Sequence, residues 1–219
     1  MGKGRRHRMT FYKGVTAISA VLLSFFSCKD DGYQYPPVKT DFVSVTTNRE
    51  GRVDSLFDDN GKKYVLSLAQ DDLAKDSLYR CVATYSTDGN GLHLYALQNI
   101  VSPDPMKYEK MKTDAVSTIR IWRGSSYINV IVKALGQTKS HKWGLNEDGL
   151  IRTENGRKRL SFTLYHDMNG DYPAFSRQVY LSFPLRKYAD CLTKGDSIFV
   201  SVHQTVKDKD SVIVYPLGY

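Results

Sequence analysis

Between residues 42 and 215 apolar side chains recur at every second position in short runs, and almost every run ends in a turn signal. Val43, Val45 and Thr47 share one face, as do Tyr64, Leu66 and Leu68, then Ile128, Val130 and Val132. Leu160, Phe162 and Leu164 repeat the pattern, followed by Val179, Leu181 and Phe183, and by Ile198, Val200 and Val202. A period of two places alternate residues on opposite faces of a strand, with one face toward a core. Asp58-Asp59-Asn60-Gly61 and Asp88-Gly89-Asn90-Gly91 supply the Asn-Gly chemistry of tight hairpins. Fifteen Tyr, together with many Val, Ile and Thr, add to the strand preference. The sequence therefore predicts an all-β protein.

The strands fall into two groups. Five runs in residues 42–101, with at most one helical turn over residues 70–77, predict a small OB-like barrel. Residues 102–113, S-P-D-P-M-K-Y-E-K-M-K-T, interrupt the alternation with two prolines and several charges. About seven further runs predict a β-sandwich. Within it Asn129 and Lys133 are expected on the polar face of their strand, opposite Ile128, Val130 and Val132. Residues 141–145 read as a short strand, Asn146-Glu147-Asp148-Gly149 as a turn, 166–173 as a polar loop and 184–191 as a short helix. The expected segments are 1–27 signal peptide, 28–40 tether, 41–102 barrel, 103–113 linker and 114–219 sandwich.

The N-terminus has a different logic. Lys3, Arg5, Arg6, Arg8 and Lys13 precede a mostly apolar run over residues 15–26. That order is the layout of an export signal. The run is well short of the roughly 20 residues that span a bilayer. Ser27 is the small residue before the cut, and Cys28 follows it at once, an order that resembles a lipobox with Cys28 as the lipidated residue. Phe25 and Phe26 depart from the usual Leu and small residue of that motif. Lys29, Asp30 and Asp31 resemble a surface-export signal beside the lipid, although a solvated charge cluster in a tether would use the same residues. Pro36-Pro37 keeps the tether extended. A membrane partner through the N-terminal lipid, at the outer membrane and its outer face, is the expectation.

Charge bears on partners. The chain carries 31 Lys+Arg against 23 Asp+Glu. Removing the five cations of the signal leaves a net charge of about +3, which is no electrostatic footprint for nucleic acid. Cys81 and Cys191 lie in different halves of the chain and in apolar contexts, so two buried free thiols are expected rather than a disulfide framework.

Candidate chemistry is sparse. Asp167-Met168-Asn169-Gly170-Asp171 begins like a calcium loop, but Tyr172 and Gln178 stand where its glycine and bidentate glutamate belong. Turn chemistry explains the same residues, and no metal or other cofactor is expected. His141, His166 and His203 have irregular spacings without a metal signature. Arg152, Arg157, Lys158 and Arg159 surround Asn155-Gly156 at an expected hairpin tip, where they could meet anionic headgroups or simply be solvated. There is no G-x-S-x-G elbow and no local Cys/His signature. Tyr64, Tyr79, Tyr85 and Tyr95 offer a stacking platform for sugars if they share an exposed face, and a Tyr-rich core if they do not.

These features together resemble the NigD-like lipoproteins of Bacteroidota. The resemblance rests on C-K-D-D at Cys28 to Asp31, D-D-N-G at Asp58 to Gly61 and Y-I-N-V-I-V at Tyr127 to Val132. Y-H-D-M-N-G-D at Tyr165 to Asp171 and V-Y-L-S-F-P-L at Val179 to Leu185 extend it. It implies an N-terminal OB domain, a C-terminal sandwich and a lipid anchor. The functional expectation is a non-enzymatic binding or accessory lipoprotein whose ligand the sequence leaves open, a glycan being one candidate. The alternative is an interaction lipoprotein for an envelope protein, associated with bacteriocin immunity.

Overall fold

Twelve strands form among the residues that the computed structural model describes, which are 37–66, 73–88, 91–124, 126–206 and 209–219. Ser27, Cys28, Lys29, Asp30 and Asp31 lie outside the described residues, as do Leu68 and part of the expected helical turn. The first five strands are β1 (Lys39–Thr47), β2 (Val53–Asp58), β3 (Lys63–Leu66), β4 (Leu78–Asp88) and β5 (Gly91–Asn99). They close into a barrel of order β1-β2-β3-β5-β4, with β1 paired antiparallel to β4 and β3 parallel to β5. Its interior is the even-spaced set the sequence marks: Val43, Val45, Leu56, Cys81 and Ala83 are fully buried.

The remaining strands are β6 (Ser117–Arg123), β7 (Tyr127–Gly136), β8 (Lys142–Arg152), β9 (Lys158–Asp167), β10 (Phe175–Pro184), β11 (Ser197–Val206) and β12 (Lys209–Gly218). They form two sheets of orders β10-β7-β6 and β12-β11-β9-β8. Ile128, Val130 and Val132 of one sheet meet Phe162, Ile198 and Val200 of the other in the second core. A barrel and a seven-stranded sandwich are thus both present.

Residues 100–116 thread along the sandwich. Val101 pairs with Leu181 at the outer edge of β10, and Met106 pairs with Asn146 at the outer edge of β8. The chain then bridges His166 of β9 at Thr113 and Gln204 of β11 at Val116. Both sheet edges thereby gain backbone partners that cover them.

Four local expectations differ from what forms. Asn146-Glu147-Asp148-Gly149 is no turn; it is a bulge inside β8, where the register shifts between Glu147 and Gly149. Asn146 is buried there: its amide oxygen accepts from the Tyr108 N–H at 2.9 Å, and its Nδ2 donates to Asp148. His166 lies within β9, which runs on to Asp167, rather than opening a loop. The helix expected over 184–191 shrinks to one 3-10 turn, Arg186–Tyr188. Asn129 is not on a solvated face; it is fully buried, because the barrel covers that end of β7.

Candidate functional site

The burial of Asn129 leads to the junction of barrel and sandwich. Arg80, on β4, extends its guanidinium across it. Nη2 donates to Asp59 Oδ1 at 2.6 Å and to Asn129 Oδ1 at 3.0 Å, and Nε donates to Ser182 Oγ at 2.9 Å. The same group lies 4.0 Å from the centre of the Tyr127 ring. Asn129 Nδ2 donates to the other Asp59 oxygen at 2.6 Å, and Ser182 Oγ donates to Asn129 Oδ1 at 2.6 Å. With the Arg80 side chain only 5% exposed, this is a largely buried charge network between barrel and sandwich, in which Arg80 holds one Asp59 oxygen and Asn129 the other. Phe42 of β1 adds edge contacts to Trp122 and Tyr180, with ring centres 5.1 and 5.9 Å apart.

Beside this network lies a cleft of about 540 Å³. Asp41, Asp58 and Asn60 form its barrel wall; Arg120, Trp122 and Arg123 form its sandwich wall. The walls have local reasons. Asp58 Oδ1 accepts the backbone N–H groups of Asn60 and Lys62, which folds the D-D-N-G hairpin and places Asp59 toward Arg80. Gly61 takes φ +81° there, a conformation open to glycine. Across the cleft, a Cβ on Gly124 would stand 2.4 Å from Asp59 Oδ2, so the close approach needs glycine. The Arg120 guanidinium covers the Trp122 ring at 4.6 Å. Asp41 Oδ2 accepts from the Tyr85 hydroxyl at 2.9 Å. The cleft offers carboxylate and amide acceptors on one side and guanidinium donors with an indole on the other.

The four tyrosines do not form a platform. Tyr64 and Tyr85 are buried in the barrel core, their rings 6.1 Å apart, because their positions on β3 and β4 point inward. Tyr79 packs partly against the same core, and its hydroxyl accepts the Ala74 N–H. Tyr95 alone of the four is exposed, beside His93. Burial pushes the Cys81 thiol up to about 11, against the pull of nearby Arg80; Cys81 and Cys191 are both free. At the β8–β9 tip, the basic side chains serve carbonyls: Arg157 donates to Lys194, Lys158 to Cys191 and Arg152 to Gly156.

Two of the three histidines meet. His166 Nδ1 lies 2.7 Å from the Asp114 carbonyl, which only accepts, so Nδ1 carries a proton. His166 Nε2 is then the acceptor for His141 Nδ1 at 2.9 Å. Trp143 stacks on His166 with ring centres 3.9 Å apart. His203 stays apart on β11. The acidic loop also has a structural use: Asp171 accepts the N–H groups of Gln137, Thr138 and Tyr172. Burial alone would raise its pKa, but these backbone donors hold the carboxyl well below the usual range. Neither pairing is visible in the spacing, since 25 residues separate His141 from His166.

Burial is the main cause that lowers the pKa of His166. Below the ordinary value of about 6.5, the unfolded chain takes up a proton that the folded chain refuses, so stability falls as pH drops through that value. Urea titrations between pH 7.5 and 5 should show this decline, at most roughly 1.4 kcal/mol per pH unit. His166→Asn should flatten the slope; parallel profiles for the two proteins would contradict it.

A family model described as the NigD-like C-terminal beta sandwich domain matches residues 99–215, which covers the connector and nearly the whole sandwich. No curated protein sequence matches. Among solved structures, a NigD-like immunity protein from Bacteroides caccae is 30% identical, with a TM-score of 0.67; the match covers 84% of this chain and 94% of that one. A candidate lipoprotein from Bacteroides fragilis, 13% identical with a TM-score of 0.62, matches over 84% of this chain and 98% of its own. A candidate toxin-related protein from Parabacteroides distasonis, 14% identical with a TM-score of 0.56, matches over 82% and 93%. The last two share the fold alone. With its sandwich matched over more than half of its length and a 30%-identical relative spanning barrel and sandwich together, the chain belongs to the NigD-like family.

Proposed function

We propose that this protein is a lipid-anchored binding module of the outer membrane, displayed at the cell surface, that holds a glycan in the cleft between barrel and sandwich and carries out no chemistry on it. The cleft carries the reading. Ligand sites favour junctions between packed units, where a concave surface combines apolar walls with a few convergent polar groups. Asp58, Asn60 and Arg120 are planar polar groups suited to vicinal hydroxyls, and Trp122 supplies the ring on which a sugar face can rest. The carboxylates of the cleft are engaged by Tyr85, by turn N–H groups and by Arg80, which suits recognition better than proton transfer. Cys28 with Lys29, Asp30 and Asp31 supports the anchor and its outward display.

Thermal unfolding against a panel of neutral and acidic glycans tests this. A glycan at about a hundredfold its dissociation constant should stabilise the protein by ~2.7 kcal/mol. Trp122→Ala should abolish that shift. A panel without any shift, or a shift that survives Trp122→Ala, contradicts the cleft as the site.

A second reading has its own observation. The Bacteroides caccae relative is named an immunity protein, and β12, the outermost strand of its sheet, exposes Val212, Ile213 and Val214. An exposed apolar end strand is a place where another chain can add. On this reading the protein docks onto an envelope or bacteriocin protein, and crosslinking on intact cells through β12 would capture it.

A further inference from the structure

A second cavity, of about 290 Å³, opens on the sandwich between β7, β10 and the start of β8. Val101, Val179 and Trp143 give it an apolar lining, while Lys139 and Arg177 give it two cations, with the His141 ring beside them. No carboxylate is among the described residues that line it. The nearest acid, Asp171, is committed to the backbone N–H groups of Gln137, Thr138 and Tyr172.

His141 is only partly engaged. Its side chain is 9% exposed, and its Nδ1 is used by His166. Its Nε2 is buried without a hydrogen-bond partner. Asp171 Oδ2 stands 3.4 Å from that nitrogen, within ion-pair range but off the line of a hydrogen bond. Arg177 is similarly underused: Nη2 makes one long contact of 3.3 Å with Asp171, and the side chain is half exposed. A guanidinium has five donors, so most of its capacity is available to a ligand. Lys139 Nζ donates to the carbonyls of Asn169 and Gly170, contacts that leave its charge uncancelled. Gly136 is what permits the convergence. A Cβ there would lie 2.8 Å from Arg177 Nη2, 2.8 Å from Asp171 Oδ2 and 2.9 Å from His141 Nε2.

We propose that this cavity binds a small organic carboxylate, with its apolar body against Val101, Val179 and Trp143 and its anionic head on Arg177 and Lys139. Planar Arg–carboxylate pairing is among the stronger charge-assisted contacts. The site is separate from the cleft between barrel and sandwich and does not depend on what the cleft binds.

Benzoate is a suitable probe, with benzamide as its uncharged counterpart. The full chain, held in detergent micelles, is titrated while the Trp143 indole and His141 ring signals are followed by NMR. The expected result is a saturable shift of both signals with benzoate and none with benzamide. Arg177→Leu and, separately, Lys139→Gln should each weaken binding about tenfold, whereas Trp122→Ala should leave it unchanged. Absence of a saturable shift, equal shifts from benzamide, or binding that survives both the arginine and the lysine change would overturn the proposal.

Discussion

Arg80→Met is expected to destabilise the protein by about 3–5 kcal/mol, the scale for breaking a buried charge pair on one side. The substitution keeps an unbranched apolar stem but removes the donors to Asp59, Asn129 and Ser182. Asp59 is then left with its charge, a single amide donor from Asn129 and 20% side-chain exposure. In a protein of this size the loss corresponds to a fall in Tm of roughly 10 °C. Adding Asp59→Leu to the Arg80→Met protein should recover part of the loss, since the orphaned charge leaves with it. Urea denaturation of the two single variants and the double variant reads the coupling directly. A loss below about 1 kcal/mol for Arg80→Met would mean that the network contributes little beyond what water supplies.

Phe162→Ala is the other large effect. Phe162 sits fully buried at the middle of β9, with an edge contact to Tyr188 at 5.4 Å between ring centres. Removing a core aromatic ring costs about 3–5 kcal/mol, from lost transfer energy plus the cavity left behind. Phe162→Leu should cost much less, because most of the volume stays. The sheet holds little slack for collapse: β8 and β11 flank β9 with backbone ladders, so the cavity persists. Guanidinium unfolding of both variants checks the contrast; equal losses would show that the site refills freely.

Much of the architecture was legible because alternation and turn chemistry are local. The runs at Val43, Ile128, Leu160 and Ile198 marked strands whose inward residues are the buried ones, and two prolines marked the break between barrel and sandwich. The family resemblance drawn from C-K-D-D, D-D-N-G and Y-I-N-V-I-V agrees with the matched family domain. What failed was long-range. Asn146 to Gly149 has turn composition, yet the connector at Met106 and Tyr108 supplies partners that let the strand run through it as a bulge. The tyrosines alternate with polar residues, and only the closing of the barrel decides that Tyr64 and Tyr85 face inward. Asp59, Asn129 and Ser182 lie within the stretches that carry the family resemblance, but nothing in those stretches pairs them with Arg80, because their meeting depends on how barrel and sandwich dock. An isolated polar residue at an inward or mid-strand position, such as Asn129, was the one local sign.

The cleft is a fixed site only if barrel and sandwich behave as one body. Scanning calorimetry on residues 37–219, which contain both hydrophobic cores, measures this most directly. The account predicts a single transition whose calorimetric and van 't Hoff enthalpies agree, since the Arg80 network and the Phe42–Trp122 contact couple the two cores. Two resolved transitions, with the barrel melting apart from the sandwich, would contradict it.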